Sequence, residues 1–232
     1  MLAAMPSQPS SAENATPFAA GDRITVVSGL PRAGTSLMMQ LLEAAGLPIA
    51  EDGARPADPD NPRGYYELAA VRRIERDAGF LDVCRGRVVK VVAPLVRALP
   101  TRHAYRVVFL ERDLREILAS QRAMLERARS RPGSPSAQDA DEALTRAFAS
   151  TLRACREFLA SAPDCETLFV EHRALIEDPR RSVARLADFL AATGGDARAL
   201  ALDGPGAAAV ARARCEAAMV AVIDRTLHRQ RS

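Results

Sequence analysis

Lysine is almost absent from this chain. Of 32 basic residues only Lys90 is a lysine, and the rest are arginine. A coding bias toward arginine accounts for the imbalance. Yet the single lysine stands in an apolar run, Arg87-Val-Val-Lys90-Val-Val, which marks it as a candidate. No Asn-Lys-x-Asp segment exists to read guanine, so a GTPase is disfavoured. Cysteine is sparse and scattered: Cys84, Cys155, Cys165 and Cys215 form no C-x-x-C pair. That pattern offers neither metal-ligand spacing nor a disulfide framework, and it fits a reducing cytoplasm. No apolar run reaches membrane-spanning length, so no membrane partner is expected. A net charge of +3 is too small to argue for nucleic acid. Residues 1–21 lack hydrophobic periodicity, a basic start and a continuous apolar stretch. They read as a disordered leader rather than a secretory signal. Residues 22–232 are long enough for one well-cored domain, and no internal repeat divides them.

What is present is an alternation. Runs rich in Val, Ile, Leu and Phe at 23–28, 87–92, 105–110 and 166–170 suit strands buried on both faces of a parallel sheet. Helical patterns occupy 34–46, 67–80, 113–129, 139–161, 179–192 and 206–229. The alternation predicts a three-layer α/β/α P-loop fold with a central, mostly parallel sheet. Residues 51–64 form a Pro/Asp/Gly-rich loop, and 129–138 a connection with the composition of a lid. In such sheets ligands bind at the carboxyl ends of the strands.

The first strand runs into Gly29-Leu-Pro-Arg-Ala-Gly34-Thr35-Ser36 and then a helix. The loop that binds ATP or GTP reads G-x-x-x-x-G-K-[ST], with its lysine on the outer phosphates. Here Thr35 takes the lysine position, and a cation, Arg32, sits inside the loop. The glycines still allow backbone N–H groups to close around an anion at a helix N-terminus. After the strand 105–110 comes Glu111-Arg112-Asp113-Leu-Arg-Glu116-Ile-Leu-Ala-Ser120. Asp113 and Glu116 have the spacing of a reciprocal helix cap. Arg112 at the junction and Ser120 eight residues on can hold a phosphate by a guanidinium fork and a hydroxyl. Glu111 imitates a magnesium-holding strand end, but Arg112 beside it argues against a metal there.

Pro31-Arg-Ala-Gly-Thr35 followed by Phe-Leu-Glu-Arg112-Asp-Leu-Arg-Glu-Ile-Leu-Ala-Ser120 resembles the sulfotransferase family. Asn61-Pro-Arg-Gly-Tyr-Tyr-Glu67 and Phe169-Val-Glu-His-Arg-Ala-Leu-Ile-Glu-Asp-Pro-Arg resemble segments of its bacterial members, and the resemblance covers roughly residues 23–192. It implies 3'-phosphoadenosine 5'-phosphosulfate (PAPS) as co-substrate and no metal. Arg32, Ala33, Gly34, Thr35 and Ser36 would cradle the 5'-phosphosulfate, and Arg112 and Ser120 the 3'-phosphate. The chain departs from the pattern in lacking a proline two residues after Arg112 and in carrying Ala33 where serine is frequent. It also lacks an evident glycine-rich basic loop, for which the arginine-rich C-terminus is a candidate substitute.

Sulfuryl transfer involves less charge than phosphoryl transfer, so side-chain cations and oriented N–H groups can replace magnesium. Arg32 is expected on the phosphosulfate, and Lys90 is expected to donate toward the bridging oxygen of the leaving phosphate. Glu67 is the first candidate for the base that takes the proton of a hydroxyl or amine acceptor, small-molecule or peptide-like. His103 is the second, although it precedes a strand; His172 lies on the correct side, and His228 belongs to the tail. Tyr65, Tyr66, Met38 and Met124 are candidates for an acceptor pocket. Two alternatives stay open: a small-molecule kinase with a degenerate P-loop, and a non-catalytic nucleotide-binding scaffold. Oligomeric state is not readable from the sequence.

Overall fold

The computed structural model describes residues 21–58, 61, 64–128, 137–193 and 204–223. Five strands form one sheet: β1 (Ile24–Gly29), β2 (Ile49–Ala50), β3 (Val88–Lys90), β4 (Tyr105–Glu111) and β5 (Cys165–Glu171). Their order is β2-β3-β1-β4-β5, and every pairing is parallel. All six residues of β1 are buried, as are six of the seven in β4. That is the burial expected of apolar strands covered on both faces.

Among the described residues, six α-helices cover the sheet: α1 (Thr35–Ala44), α2 (Leu114–Ala128), α3 (Ala137–Ser161), α4 (His172–Glu177), α5 (Pro179–Thr193) and α6 (Gly204–Val222). One group packs α6 between α1 and α5; the other packs α3 against α2 and a 3₁₀ turn at Ala93–Ala98. The result is the three-layer α/β/α arrangement. No helix among the described residues is long and apolar enough to cross a membrane.

The helix expected at 67–80 is absent. Two 3₁₀ turns, Ala69–Arg73 and Gly79–Cys84, stand there instead. The buried residues Val71 and Ile74, then Leu81 and Cys84, recur at intervals of three. That spacing suits three residues per turn, and it resembles an amphipathic α-helix when read as sequence. The short strand β2, the helix α4 and the turn at 93–98 were not anticipated. Residues 1–20, most of the 129–138 connection and the tail from 224 onward, with His228, lie outside the described residues.

A charged group is built into this largely apolar frame. Arg106 on β4 is fully buried, and its Nη1 donates to Leu190 O at 2.8 Å. Leu190 is one of the last four residues of α5, whose carbonyls have no partner inside the helix. The guanidinium thus fastens the end of α5 to the sheet. Burial lowers it to about 10, with Arg23 adding to the drop and Glu166 opposing it.

Candidate functional site: an anion cradle at the strand ends

Because the strands are parallel, their carboxyl ends share one edge of the sheet. Gly29 closes β1, Lys90 closes β3, Glu111 closes β4, and His172 follows β5 directly. Gly29 lies opposite Leu110 in the β1–β4 register, and a Cβ built there would stand 2.8 Å from Leu110 O. Only glycine lets the chain leave the strand so close to β4. Five residues on, Gly34 has φ 99°, and a Cβ there would stand 2.5 Å from Cδ2 of the buried His172 ring. His172, considered above as a base, forms a wall behind the loop.

The loop opens helix α1 without a side-chain cap. The first N–H groups of an α-helix have no partner inside it, and here they are left to a ligand or solvent. Met38 N is the first donor inside the helix, to Gly34 O at 3.1 Å. Ala33 differs from the other loop residues. Its side chain is buried (1 % exposed), and its N–H is taken up by Leu30 O at 3.0 Å. The alanine in place of serine therefore faces the core, and Gly34, Thr35 and Ser36 carry the backbone donors.

Arg32 has φ 69°, a left-handed conformation that costs a non-glycine residue about 1–2 kcal/mol. It is held there from two sides. Arg112 Nη1 donates to Arg32 O at 3.1 Å, and Arg32 Nε donates to Ser120 Oγ at 2.9 Å. The residues expected around the two ends of a nucleotide are therefore in direct contact. Arg112 Nε also donates to Glu116 Oε2 at 2.8 Å. The expected reciprocal cap is thus only half formed: Asp113 Oδ1 accepts Arg115 N–H at 2.7 Å, while Glu116 turns to Arg112.

Lys90 reaches the same loop from β3. Its Nζ donates to Ser36 Oγ at 3.0 Å and to Tyr65 O at 2.7 Å, and it is 8 % exposed. The lysine missing from the loop's own sequence is supplied by the neighbouring strand. Burial pulls Lys90 down to about 8; Glu67 opposes that, and Arg55 and Arg32 assist it.

Glu67 is not bonded to this cluster. Its two oxygens pair with Arg55 Nη1 at 3.0 Å and Arg72 Nη2 at 3.3 Å. It does not cap the following turn either, because Asp52 Oδ2 accepts Ala69 N–H at 2.6 Å. His103 precedes β4 and lies at the opposite end of the sheet, buried, with Nε2 3.4 Å from Asp82 Oδ1. Burial holds its imidazole below the ordinary histidine range, and it is not part of this site. Met38 is fully buried in the core. Tyr65 is buried with its hydroxyl on Asp58 at 2.7 Å and Arg55 3.3 Å above its ring. Tyr66 donates to Glu43 Oε2 at 2.7 Å. The side chain of Met124 lies outside the described set.

Three partners were missed by sequence reasoning. Asn61 Nδ2 donates to Ser36 Oγ at 2.9 Å. Glu116 holds Arg112, and its i,i+4 spacing was the available signal. Arg156 Nε and Nη2 both reach Glu111 Oε1, at 2.7 and 2.6 Å. The two residues are 45 positions apart, and no local pattern connects them. Among the described residues, no group of three or more His, Cys, Asp or Glu is placed to hold a metal ion. No protein-family model matches the chain, and no curated protein matches it significantly.

Proposed function

We propose that the chain is a PAPS-dependent sulfotransferase, moving a sulfuryl group to a hydroxyl or amine of a small-molecule or peptide-like acceptor. The observation that carries this reading is the convergence of Arg32, Lys90 and Arg112, with Ser36 and Ser120, on the uncapped start of α1. Cations from three strand ends meet at one loop whose own sequence lacks the lysine of ATP-binding loops. In the reaction, the acceptor atom bonds to sulfur as the bond from sulfur to the 5'-phosphate oxygen breaks. Lys90 and Arg32 stabilise charge gathering on the phosphate and sulfuryl oxygens. Glu67 is the carboxylate nearest in role to a base. To take the acceptor's proton it has to exchange one of its two arginine partners for the acceptor.

Against the kinase alternative stands the Arg156 fork on Glu111, which engages the carboxylate that would hold magnesium. One observation favours a second reading, a nucleotide-binding scaffold without turnover: both oxygens of Glu67 are already ion-paired. Thermal melts and a sulfate-transfer assay together separate the three. 3',5'-Adenosine bisphosphate with EDTA present should raise the melting temperature more than ATP with magnesium. Stabilisation by magnesium–ATP alone would overturn the proposal. Binding of the bisphosphate without sulfate transfer to any member of an acceptor panel would select the scaffold.

A further inference from the structure

Ser36 Oγ accepts two hydrogen bonds, from Asn61 Nδ2 at 2.9 Å and from Lys90 Nζ at 3.0 Å. Neither donor can accept one in return. An ammonium has three protons and no lone pair, and the amide nitrogen of asparagine is a donor only. The orientation of the Asn61 amide is fixed by a second bond. The same Nδ2 also donates to Gly64 O, and a carbonyl oxygen can only accept. Both amide protons are therefore committed, one to Gly64 and one to Ser36.

A serine hydroxyl has two lone pairs and one proton. With both lone pairs filled, the proton of Ser36 has to be directed at a third group, and none of the described residues accepts it. Ser36 is half-buried on the first turn of α1, beside the uncapped N–H groups. From this geometry we infer that Asn61 is a positioning residue: together with Lys90 it turns the Ser36 hydroxyl into a one-way donor aimed at an anionic oxygen in the cradle. The inference rests on the proposed reading of the loop as the phosphosulfate site. It adds a way in which Asn61, outside the cradle itself, prepares the hydroxyl before the ligand arrives. Donors oriented in advance need no reorganisation when charge appears.

The test is a double-mutant cycle read by isothermal calorimetry, with 3',5'-adenosine bisphosphate and, in parallel, inorganic pyrophosphate as probes. Asn61→Asp replaces the donor by an acceptor and turns the Ser36 proton away from the ligand. It should weaken binding roughly tenfold or more, the scale of one hydrogen bond to a charged group. In a Ser36→Ala background the same change should cost less than about threefold, because coupled residues lose their joint effect when one is gone. Asn61→Leu, which removes the donor without adding charge, should show the same coupling at smaller size. Equal losses with and without Ser36 overturn the inference, since Asn61 would then act through charge or loop shape. Coupling seen with pyrophosphate but no binding of the bisphosphate keeps the inference and sinks the cofactor reading. No binding of either anion overturns both.

Discussion

A buried lysine that loses its proton near pH 8 has opposite consequences for fold and ligand. Lys90 in the folded chain sits at about 8, against an ordinary value of 10.5. Below pH 8 it is charged in both states, and the folded state bears the cost of burying that charge. Between pH 8 and 10.5 the unfolded chain keeps the proton that the folded chain has released. The unfolded state then binds more protons, so this group makes stability rise with pH across that window. Anion affinity should fall over the same window, because the cation facing the cradle is lost. The stability of the wild type relative to Lys90→Met, measured by urea unfolding from pH 7 to 10.5, should shift toward the wild type. A flat difference contradicts the assignment. Arg32 gives a second contrast at this scale. Arg32→Gly should be more stable than Arg32→Ala by about 1 kcal/mol, since glycine accepts φ 69° without strain, while both variants lose anion affinity. Lys90 and Arg32 were legible in the sequence through their positions after β-branched runs. Asn61 was not: a hydrogen bond between residues 25 positions apart leaves no local pattern.

At the scale of elements, the cradle depends on how α4 meets α1. His172 opens α4 immediately after β5, and its ring fills the space where a side chain at position 34 would go. Gly34→Ala should therefore destabilise by roughly 2 kcal/mol or more, combining left-handed strain with a steric clash. In a His172→Ala background the clash is relieved and the strain of about 1–2 kcal/mol remains. Denaturant unfolding of the four variants checks this, and an unchanged penalty would show that the ring is not the obstacle. The strands and long helices were legible because their periodicity extends over many residues. The segment 67–80 was not, because residues spaced by three satisfy a 3₁₀ turn and an α-helix alike at that length. Likewise, the two-residue strand β2 takes its place from pairing with β3, which no composition signals.

For the whole molecule, ligand binding and folding are linked. The cradle draws on β1, β3 and β4 and on the helices α1 and α2, so a ligand there stabilises the sheet as a unit. A ligand at a hundred times its dissociation constant adds about 2.7 kcal/mol. For a chain of this size that corresponds to a rise in melting temperature of roughly 5–10 °C. This is the shift expected in the melt with the adenosine bisphosphate and EDTA. The layered architecture was readable from the alternation of strands and helices. The path that brings Arg156 to Glu111 was not, because it depends on how α3 crosses the sheet rather than on any local pattern.

The strand order also has a consequence in time. β1 is central and wholly buried, and its partners lie far along the chain: Thr25 pairs with Val88 and Ile24 with Tyr105. No hairpin lets β1 pair with a near neighbour. On the ribosome, at about 5–20 residues per second, β1 waits on the order of 4–16 s for β4 to be made. During that interval a bare apolar strand is open to wrong partners, and contacts of such long sequence separation form slowly even in the finished chain. The arrangement that gathers distant cations around one loop thus leaves the nascent protein dependent on protection of its first strand.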